Sequence, residues 1–275
     1  MNAPAAPRER APEPFFREAG SGPGVVCLHA NASTSGQWRE LMERLAPKFR
    51  VLAPDLYDAG RSPCWPAGGD FGLSDEVALL EPVLERAGAP LALVGHSYGG
   101  AVALKAALMH PGRVRALALY EPVLFSLVDA DRPPPNDADG IREGVADVAA
   151  ALAAGDCDAA AERFVDYWMG PGAWEATPPE RKPAIAASVA SVPRSGFALF
   201  HEPTPLAAFR RLDVPLLYMV GKRSPASSLG VARLLAPALP RAELVEFGDL
   251  GHMGPVTHPD TVNRAIARFL ERRAA

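Results

Sequence analysis

The chain has 275 residues, of which 48% are hydrophobic and 22% charged, and its formal net charge is −4. A chain of this length and composition is globular and can bury one large hydrophobic core. The weak acidity argues against a nucleic-acid partner, which usually requires a basic protein face. Because the sequence has no unbroken apolar run of about 18 residues, we also expect no membrane-spanning helix and no membrane partner.

Two features bear on the cellular setting. Residues 1–14 are rich in Ala, Pro, Arg and Glu and lack the apolar segment of a signal peptide, so we expect a flexible tail or, alternatively, a structured arm. Cys27, Cys64 and Cys157 are widely spaced and odd in number, and they match no metal-ligand pattern. They predict free thiols in a reducing, cytosolic setting.

Short apolar segments alternate with helical patterns over the first 122 residues. The expected strands cover residues 15–19 (at a sheet edge), 25–28, 49–53, 91–94 and 114–120, and the expected helices cover residues 37–46, 74–86 and 101–110. The helices carry apolar residues at core spacing, and the inner strands are continuously apolar. This alternation predicts an α/β fold with a mostly parallel, doubly wound sheet.

The alternation stops after Tyr120. Residues 129–140 contain three consecutive prolines and four aspartates, which is typical of a surface loop. Helices are then expected at residues 141–154, 158–169 and 179–192, before the alternation resumes with strands at 215–220 and 243–247 and helices at 227–235 and 259–272. We therefore divide the chain into a tail (1–14), a first core segment (15–122), an inserted helical cap (123–212) and a second core segment (213–275).

Residues 95–99, Gly-His-Ser-Tyr-Gly, fit the pattern G-x-S-x-G. Between a strand and a helix this pattern indicates a nucleophile elbow, in which the serine occupies a strained turn and its neighbours two residues away must be small. Gly95, Gly99 and Gly100 supply that room because glycine has no Cβ. Ligands of doubly wound sheets bind beyond the carboxyl ends of the strands, so Ser97 is predicted to be a nucleophile at that edge.

A serine nucleophile needs a base within hydrogen-bond reach and a third group that orients the base. His252 is the strongest candidate for the base, because it follows the last strand in a glycine-flanked loop at the same sheet edge as Ser97. His29 and His96 also lie at strand ends, where packing or a backbone hydrogen bond is the expected role. The remaining histidines have simpler explanations on helices or in the cap.

Four stretches of the sequence, taken in order, resemble the α/β-hydrolase family, and within it the small, cap-bearing, cofactor-independent branch. They are residues 28–29 with the following loop, 54–62, 94–100 and 251–253. The resemblance implies a hydrolase of a small-molecule substrate. No cofactor is expected, since the sequence has no P-loop, dinucleotide fingerprint or metal-ligand cluster.

The orienting acid is the first departure from the family's common pattern. Most members carry an Asp shortly after the strand that follows the cap, but residues 221–225 of this chain contain no carboxylate, and Ser224 lies close to the expected position. In the family's second arrangement the acid follows the strand after the elbow helix, where Glu121 matches. Glu121 is therefore the predicted acid of a triad; its alternative role is a backbone-bonded or arginine-paired carboxylate. Asp213 and Asp249 are not expected to reach the histidine.

The loop after the first buried strand is the second departure, because His29-Ala30 stands where the family usually has His-Gly. The resemblance implies that the backbone N–H groups of Asn31 and Tyr98 form the oxyanion hole. An asparagine at this place is similar to that of haloalkane dehalogenases. Those enzymes use an Asp nucleophile, however, so the presence of Ser97 argues against dehalogenase or epoxide-hydrolase chemistry.

These residues together predict a serine hydrolase that acts through an acyl-enzyme on a small or medium apolar ester, thioester, lactone or C–C substrate. Ser97 is the expected nucleophile, His252 the base and Glu121 the acid. Two alternatives remain open at this point: a non-hydrolytic, ligand-binding member of the same fold, and a cofactor-free perhydrolase with the same triad.

Overall fold

The structure is a computed structural model that describes residues 12–66 and 70–274, so residues 1–11 of the predicted tail lie outside the described residues. Seven strands form one sheet in the order β1-β3-β2-β4-β5-β6-β7. The strands are β1 (Phe16–Ala19), β2 (Gly24–Leu28), β3 (Arg50–Pro54), β4 (Leu91–His96), β5 (Val114–Tyr120), β6 (Leu216–Gly221) and β7 (Ala242–Phe247). Only the edge strand β1 is antiparallel to its neighbour, which confirms the predicted α/β fold with a mostly parallel sheet.

Helices pack on both faces of this sheet. Those of the core are α1 (Arg39–Leu45), α2 (Leu73–Ala87), α3 (Tyr98–Met109), α10 (Ala226–Ala238), α11 (Gly254–Thr257) and α12 (Pro259–Ala274), with a 3-10 turn at Ser35–Trp38. One apolar cluster joins Val26 and Leu28 of β2 to α2, α3 and α10. A second cluster joins Val25 and Cys27 of the same strand to α1 and α12. Since successive residues of a strand point to opposite faces, a continuously apolar strand serves both clusters.

The chain between β5 and β6 contains six helices, which lie over the carboxyl edge of the sheet. They are α4 (Phe125–Asp131), α5 (Asp139–Ala153), α6 (Cys157–Met169), α7 (Lys182–Ser188), α8 (Val192–Phe200) and α9 (Leu206–Phe209). The single helix expected at residues 179–192 is wrong: α7 ends at Ser188, a 3-10 turn follows at Val189–Ser191, and α8 begins at Val192. Pro193 explains the break, because proline lacks the N–H that an uninterrupted helix would use and is favoured in a first turn.

The parallel strands bring distant parts of the sequence to one edge. Asn31 follows β2, Ser97 follows β4, Glu121 follows β5 and His252 follows β7. The carboxyl ends of parallel strands lie at the same edge of a sheet, so all four residues lie beneath the cap helices. Among the described helices, none combines the length and apolar character that a membrane crossing requires.

Candidate active site

Ser97 occupies a tight turn between β4 and α3. Its backbone has φ 55° and ψ −118°, a conformation that side-chain-bearing residues rarely adopt and that marks strained functional positions. A Cβ on Gly99 would lie 2.4 Å from the carbonyl oxygens of Leu28 and His29, and one on Gly95 would lie 2.6 Å from Gly100 Cα. A side chain at Gly99 would therefore push the elbow away from β2, and one at Gly95 would push the start of α3 away from β4, which explains the glycines of the G-x-S-x-G pattern.

His252 faces this serine from the loop after β7. Its Nε2 atom lies 2.8 Å from Ser97 Oγ, and the side chains of both residues are buried. Two hydrogen bonds hold the backbone of the histidine loop: Tyr120 Oη donates to Gly251 O at 2.8 Å, and His96 Nε2–H donates to His252 O at 2.8 Å. A base within hydrogen-bond distance of a hydroxyl can accept its proton directly.

Glu121 lies on the other side of the imidazole. Its Oε2 atom is 2.6 Å from His252 Nδ1, while its Oε1 atom accepts hydrogen bonds from Gly221 N–H and Ser224 Oγ, each at 2.6 Å. Ser228 Oγ also lies 3.0 Å from His252 Nδ1. The carboxylate is fully buried and accepts three hydrogen bonds, so its position is fixed.

The other two candidate acids lie elsewhere. Asp249 is exposed and pairs with Arg223 at 2.8 Å, and Asp213 is exposed and pairs with Arg241 at 3.6 Å. Ser224, at the position where the family usually carries its acid, instead donates to Glu121. The structure thus brings Ser97, His252 and Glu121 together and leaves both aspartates outside the site.

The predicted oxyanion donors are the N–H groups of Asn31 and Tyr98. Ala30 N–H donates to Gln37 Oε1 at 3.0 Å, whereas the next N–H, that of Asn31, has no acceptor within the described part of the chain. Tyr98 is the first residue of α3, and its N–H likewise has no acceptor among the described residues. The free N–H of Tyr98 at the first turn of α3 and the free N–H of Asn31 in the loop after β2 are the kind of donors that suit a developing negative charge.

Comparison with known proteins agrees with this architecture. A family model described as alpha/beta hydrolase fold matches residues 23–259. The chain belongs to the α/β-hydrolase family. The family predicted from sequence and its hydrolase class are thereby confirmed.

Several relatives of this α/β hydrolase carry names that specify a reaction. A pimeloyl-[acyl-carrier protein] methyl ester esterase of Chromobacterium violaceum is 29% identical over 262 residues, which cover 94% of this chain and 99% of the relative. A haloalkane dehalogenase of Mesorhizobium japonicum is also 29% identical, over 93% of this chain and 87% of its own. Among solved structures, an α/β hydrolase of Sphaerobacter thermophilus has a TM-score of 0.70 and 29% identity over 94% of this chain and 96% of its own.

In this hydrolase a chain of hydrogen bonds connects the loop of the predicted oxyanion donors to the histidine loop. Gln37 Nε2 donates to His96 Nδ1 at 3.1 Å, while Gln37 Oε1 accepts from Ala30 N–H. Burial lowers the pKa of His96 well below its ordinary value, and the neighbouring His252 lowers it further, so His96 is neutral and its Nε2–H can donate to His252 O. The backbone bond expected for His96 is confirmed. Gln37 lacked a sequence signal because it lies among polar residues at a helix start.

Trp168 of the cap covers the histidine. Its ring stacks on His252 with the centroids 3.9 Å apart and the planes inclined by 25°. The space left beside Ser97 and His252 is a cavity of about 30 Å³. Its other walls are mainly apolar and include Phe125, Ile141, Val145, Phe164, Val192 and Met253. This apolar cavity has room for a group of a few atoms beside the pair.

Proposed function

We propose that this hydrolase cleaves a carboxylic ester through an acyl-enzyme on Ser97. The supporting observation is the continuous contact chain from Ser97 Oγ to His252 Nε2 (2.8 Å) and from His252 Nδ1 to Glu121 Oε2 (2.6 Å). This is the arrangement of nucleophile, base and orienting acid that acyl transfer requires. Thioesters, lactones and C–C substrates share the same acyl-enzyme chemistry and belong to the same proposal.

In the first half of the reaction, Ser97 Oγ bonds to the carbonyl carbon while His252 Nε2 takes the hydroxyl proton. The carbonyl oxygen becomes negatively charged and accepts hydrogen bonds from the N–H groups of Asn31 and Tyr98. Removing one such donor costs on the order of 3–4 kcal/mol of transition-state stabilisation where it has been tested. Glu121 accepts the Nδ1–H bond and stabilises the positive charge that the imidazole gains.

The imidazolium then gives its proton to the leaving oxygen as the bond to the carbonyl carbon breaks. In the second half, water takes the place of the alcohol: His252 accepts a proton from water, the resulting oxygen attacks the acyl carbon, and the proton returns to Ser97 Oγ. The products are the acid and free enzyme. Apart from the substrate and water, every step uses groups of this chain.

The relatives support an ester among the possible substrates. The names of the Chromobacterium violaceum relative and of a Nitrosomonas europaea relative, 26% identical over 254 residues, both specify methyl ester cleavage. The dehalogenase relative does not lead us to propose dehalogenation, because the residue at the elbow here is Ser97 and not the aspartate that such chemistry uses.

The test is covalent labelling combined with turnover. A fluorophosphonate should form one adduct on Ser97 of folded protein, and p-nitrophenyl acetate should be hydrolysed with a rate that Ser97→Ala abolishes. A ligand-binding protein would give no Ser97-dependent turnover, and this result would refute the proposal. A perhydrolase would in addition form peracid from a carboxylic acid and hydrogen peroxide.

We also propose a reducing, cytosolic setting for the enzyme. All three cysteines are free thiols, with Cys27 buried and Cys64 and Cys157 exposed. Exposed thiols persist without disulfides mainly where the surroundings are reducing. Recovery of the protein outside the cytosol in cell fractionation would contradict this proposal.

A further inference from the structure

A second and larger cavity, the polar chamber, lies beside the apolar cavity that contains Ser97 and His252. It has a volume of about 290 Å³, and its walls are the loops after β2 and β3, part of α2, and the cap helices α7 and α8. Ser97 and His252 do not line it, but Asn31 lines both cavities and Tyr98 lines the chamber. The two cavities therefore meet at Asn31, and Ser97 and His252 both lie on the side of the apolar cavity.

The walls of the chamber carry hydrogen-bonding groups, and their net charge is close to zero. Arg194 of α8 forms an ion pair with Asp58 of the loop after β3, so these two charges cancel. The Asn31 side chain bonds two cap hydroxyls: its Nδ2 donates to Ser195 Oγ at 2.5 Å, and its Oδ1 accepts from Ser191 Oγ at 3.0 Å. A charged ligand would have no uncompensated partner among these groups, whereas a neutral polar group would find both donors and acceptors.

Glu76 adds a donor to this wall, and the proposed reaction does not use it. It is buried, and its carboxyl oxygens accept hydrogen bonds from Tyr57 N–H (3.2 Å) and Tyr98 Oη (3.1 Å). Burial raises its pKa to about 8, so the group is mostly protonated at neutral pH. A protonated carboxyl carries an O–H that can donate to a ligand oxygen.

The chemistry decides which end of a substrate faces the chamber. The leaving oxygen must lie within hydrogen-bond reach of His252 Nε2 to receive its proton. His252 lines the apolar cavity, where about 30 Å³ is available. A cavity of that size holds little more than one water-sized group, which favours a small leaving alcohol. Ser97 lines the same small cavity, so a longer acyl chain needs space outside it, and Asn31 is the wall residue that this cavity shares with the chamber.

Building on the proposed function, we propose that the substrate is an ester of a small alcohol whose acyl end carries a neutral hydrogen-bonding group, such as a hydroxyl or amide, and that the polar chamber binds that group. This assigns the Ser97 side of the site to the alcohol and the Arg194, Asn31 and Glu76 side to the acid.

The first test compares methyl esters of equal chain length by titration of the released acid. Methyl 6-hydroxyhexanoate should be hydrolysed with a kcat/KM about fivefold to tenfold higher than methyl hexanoate, because one net hydrogen bond contributes about 1 kcal/mol. The charged monomethyl adipate should be the poorest substrate of the three. Equal or higher kcat/KM for methyl hexanoate would overturn the assignment.

The second test narrows the chamber. Ala187 of α7 lines the chamber and is exposed, so Ala187→Leu should fold normally while its side chain occupies space in the cavity. The ratio of kcat/KM for methyl 6-hydroxyhexanoate to that for methyl acetate should fall about fivefold. Ala190→Leu is the matched control, because Ala190 is exposed on the same part of the cap and does not line the chamber. An unchanged ratio in Ala187→Leu would contradict the proposal.

Binding separates this proposal from the proposed reaction. In Ser97→Ala, titrations followed by NMR should show tighter binding of methyl 6-hydroxyhexanoate than of methyl hexanoate, and Ala187→Leu in the same background should remove the difference. If no ester is turned over but this difference appears, the hydrolysis proposal fails and the chamber proposal stands. If Ser97 turns over all esters without preference for the hydroxyl, the chamber proposal fails alone.

Discussion

Replacing Glu121 by glutamine should place a hydrogen-bond donor, instead of an acceptor, opposite Nδ1 of His252. Oε1 of Glu121 accepts from Gly221 N–H and Ser224 Oγ, and Oε2 accepts from His252 Nδ1–H. In Glu121→Gln the amide oxygen takes the Oε1 place, since two donors point at it, and the NH2 group then faces Nδ1. A donor at Nδ1 favours the tautomer with hydrogen on Nε2, which cannot accept the proton of Ser97.

The size of the effect follows from this geometry. In a well-studied serine protease the equivalent change of the acid to its amide lowers kcat about 10⁴-fold through the wrong tautomer. Here Ser228 Oγ lies 3.0 Å from Nδ1 and offers an alternative acceptor for Nδ1–H. We therefore expect kcat to fall by about 10³–10⁴-fold, which corresponds to about 4–5.5 kcal/mol in the activation barrier.

The assay is p-nitrophenyl acetate turnover at saturating substrate, with circular dichroism to verify the fold. Asp249→Asn is the matched control, because Asp249 is an exposed carboxylate in the histidine loop and should leave kcat unchanged. A Glu121→Gln enzyme that keeps kcat within about threefold of wild type would refute the tautomer argument. A Ser97–His252 dyad without an essential acid would then be the simpler description.

Three further predictions concern the surroundings of the triad. Ser224→Ala removes a hydrogen bond to the buried Glu121 carboxylate, and a bond to a charged group contributes about 1.5–3 kcal/mol to stability, so the unfolding free energy should fall by about that amount and Ser224→Thr should restore it. Burial raises the Glu76 pKa from its ordinary 4.5 to about 8, so the folded protein keeps a proton that the unfolded chain releases, and wild-type stability should fall as pH rises between these values. In urea unfolding, the free energy of unfolding of Glu76→Gln minus that of wild type should therefore rise by roughly 4 kcal/mol between pH 4 and pH 8. Parallel pH profiles of the two proteins would contradict this. Gly99→Ala should lower the unfolding free energy by about 3 kcal/mol through its 2.4 Å backbone contacts, whereas Gly248→Ala, with no atom within 4 Å of the added Cβ, should change it little.

The sheet was readable from the sequence because each buried strand is a short, continuously apolar segment between turn residues. Boundaries were less readable where tertiary geometry decides them. The helix expected to begin at residue 101 begins at Tyr98, since the elbow turns the chain directly into α3 and places Gly99 and Gly100 in its first turn. In the cap, the break before α8 depends on Pro193. The spacing of apolar residues, from which the helix was predicted, does not reveal this break.

The candidate site divides in a similar way. Ser97 and His252 lie in local sequence motifs, and such motifs can be recognised without knowledge of the fold. Gln37, Ser228 and Trp168 have no motif: they lie on a 3-10 turn, on α10 and on a cap helix, and only the folded chain brings them to His96 and His252. A polar residue among polar neighbours, or an aromatic residue in a helical stripe, has the same sequence signature whether or not it serves a site.

The pairing of β5 with β6 explains why a carboxylate can leave the family's usual position and still reach the histidine. Glu121 directly follows β5, and its N–H donates to Met219 O of β6 at 2.9 Å, which keeps the ends of the two strands side by side. Ser224 lies just beyond β6, and its hydroxyl is 2.6 Å from Glu121 Oε1. The two acid positions are far apart along the chain but adjacent in space. A carboxylate at either position can therefore accept a hydrogen bond from Nδ1 of the same histidine. Ser224, at the unused position, bonds the carboxylate at the other, because it is small and carries a hydroxyl donor for Glu121 Oε1.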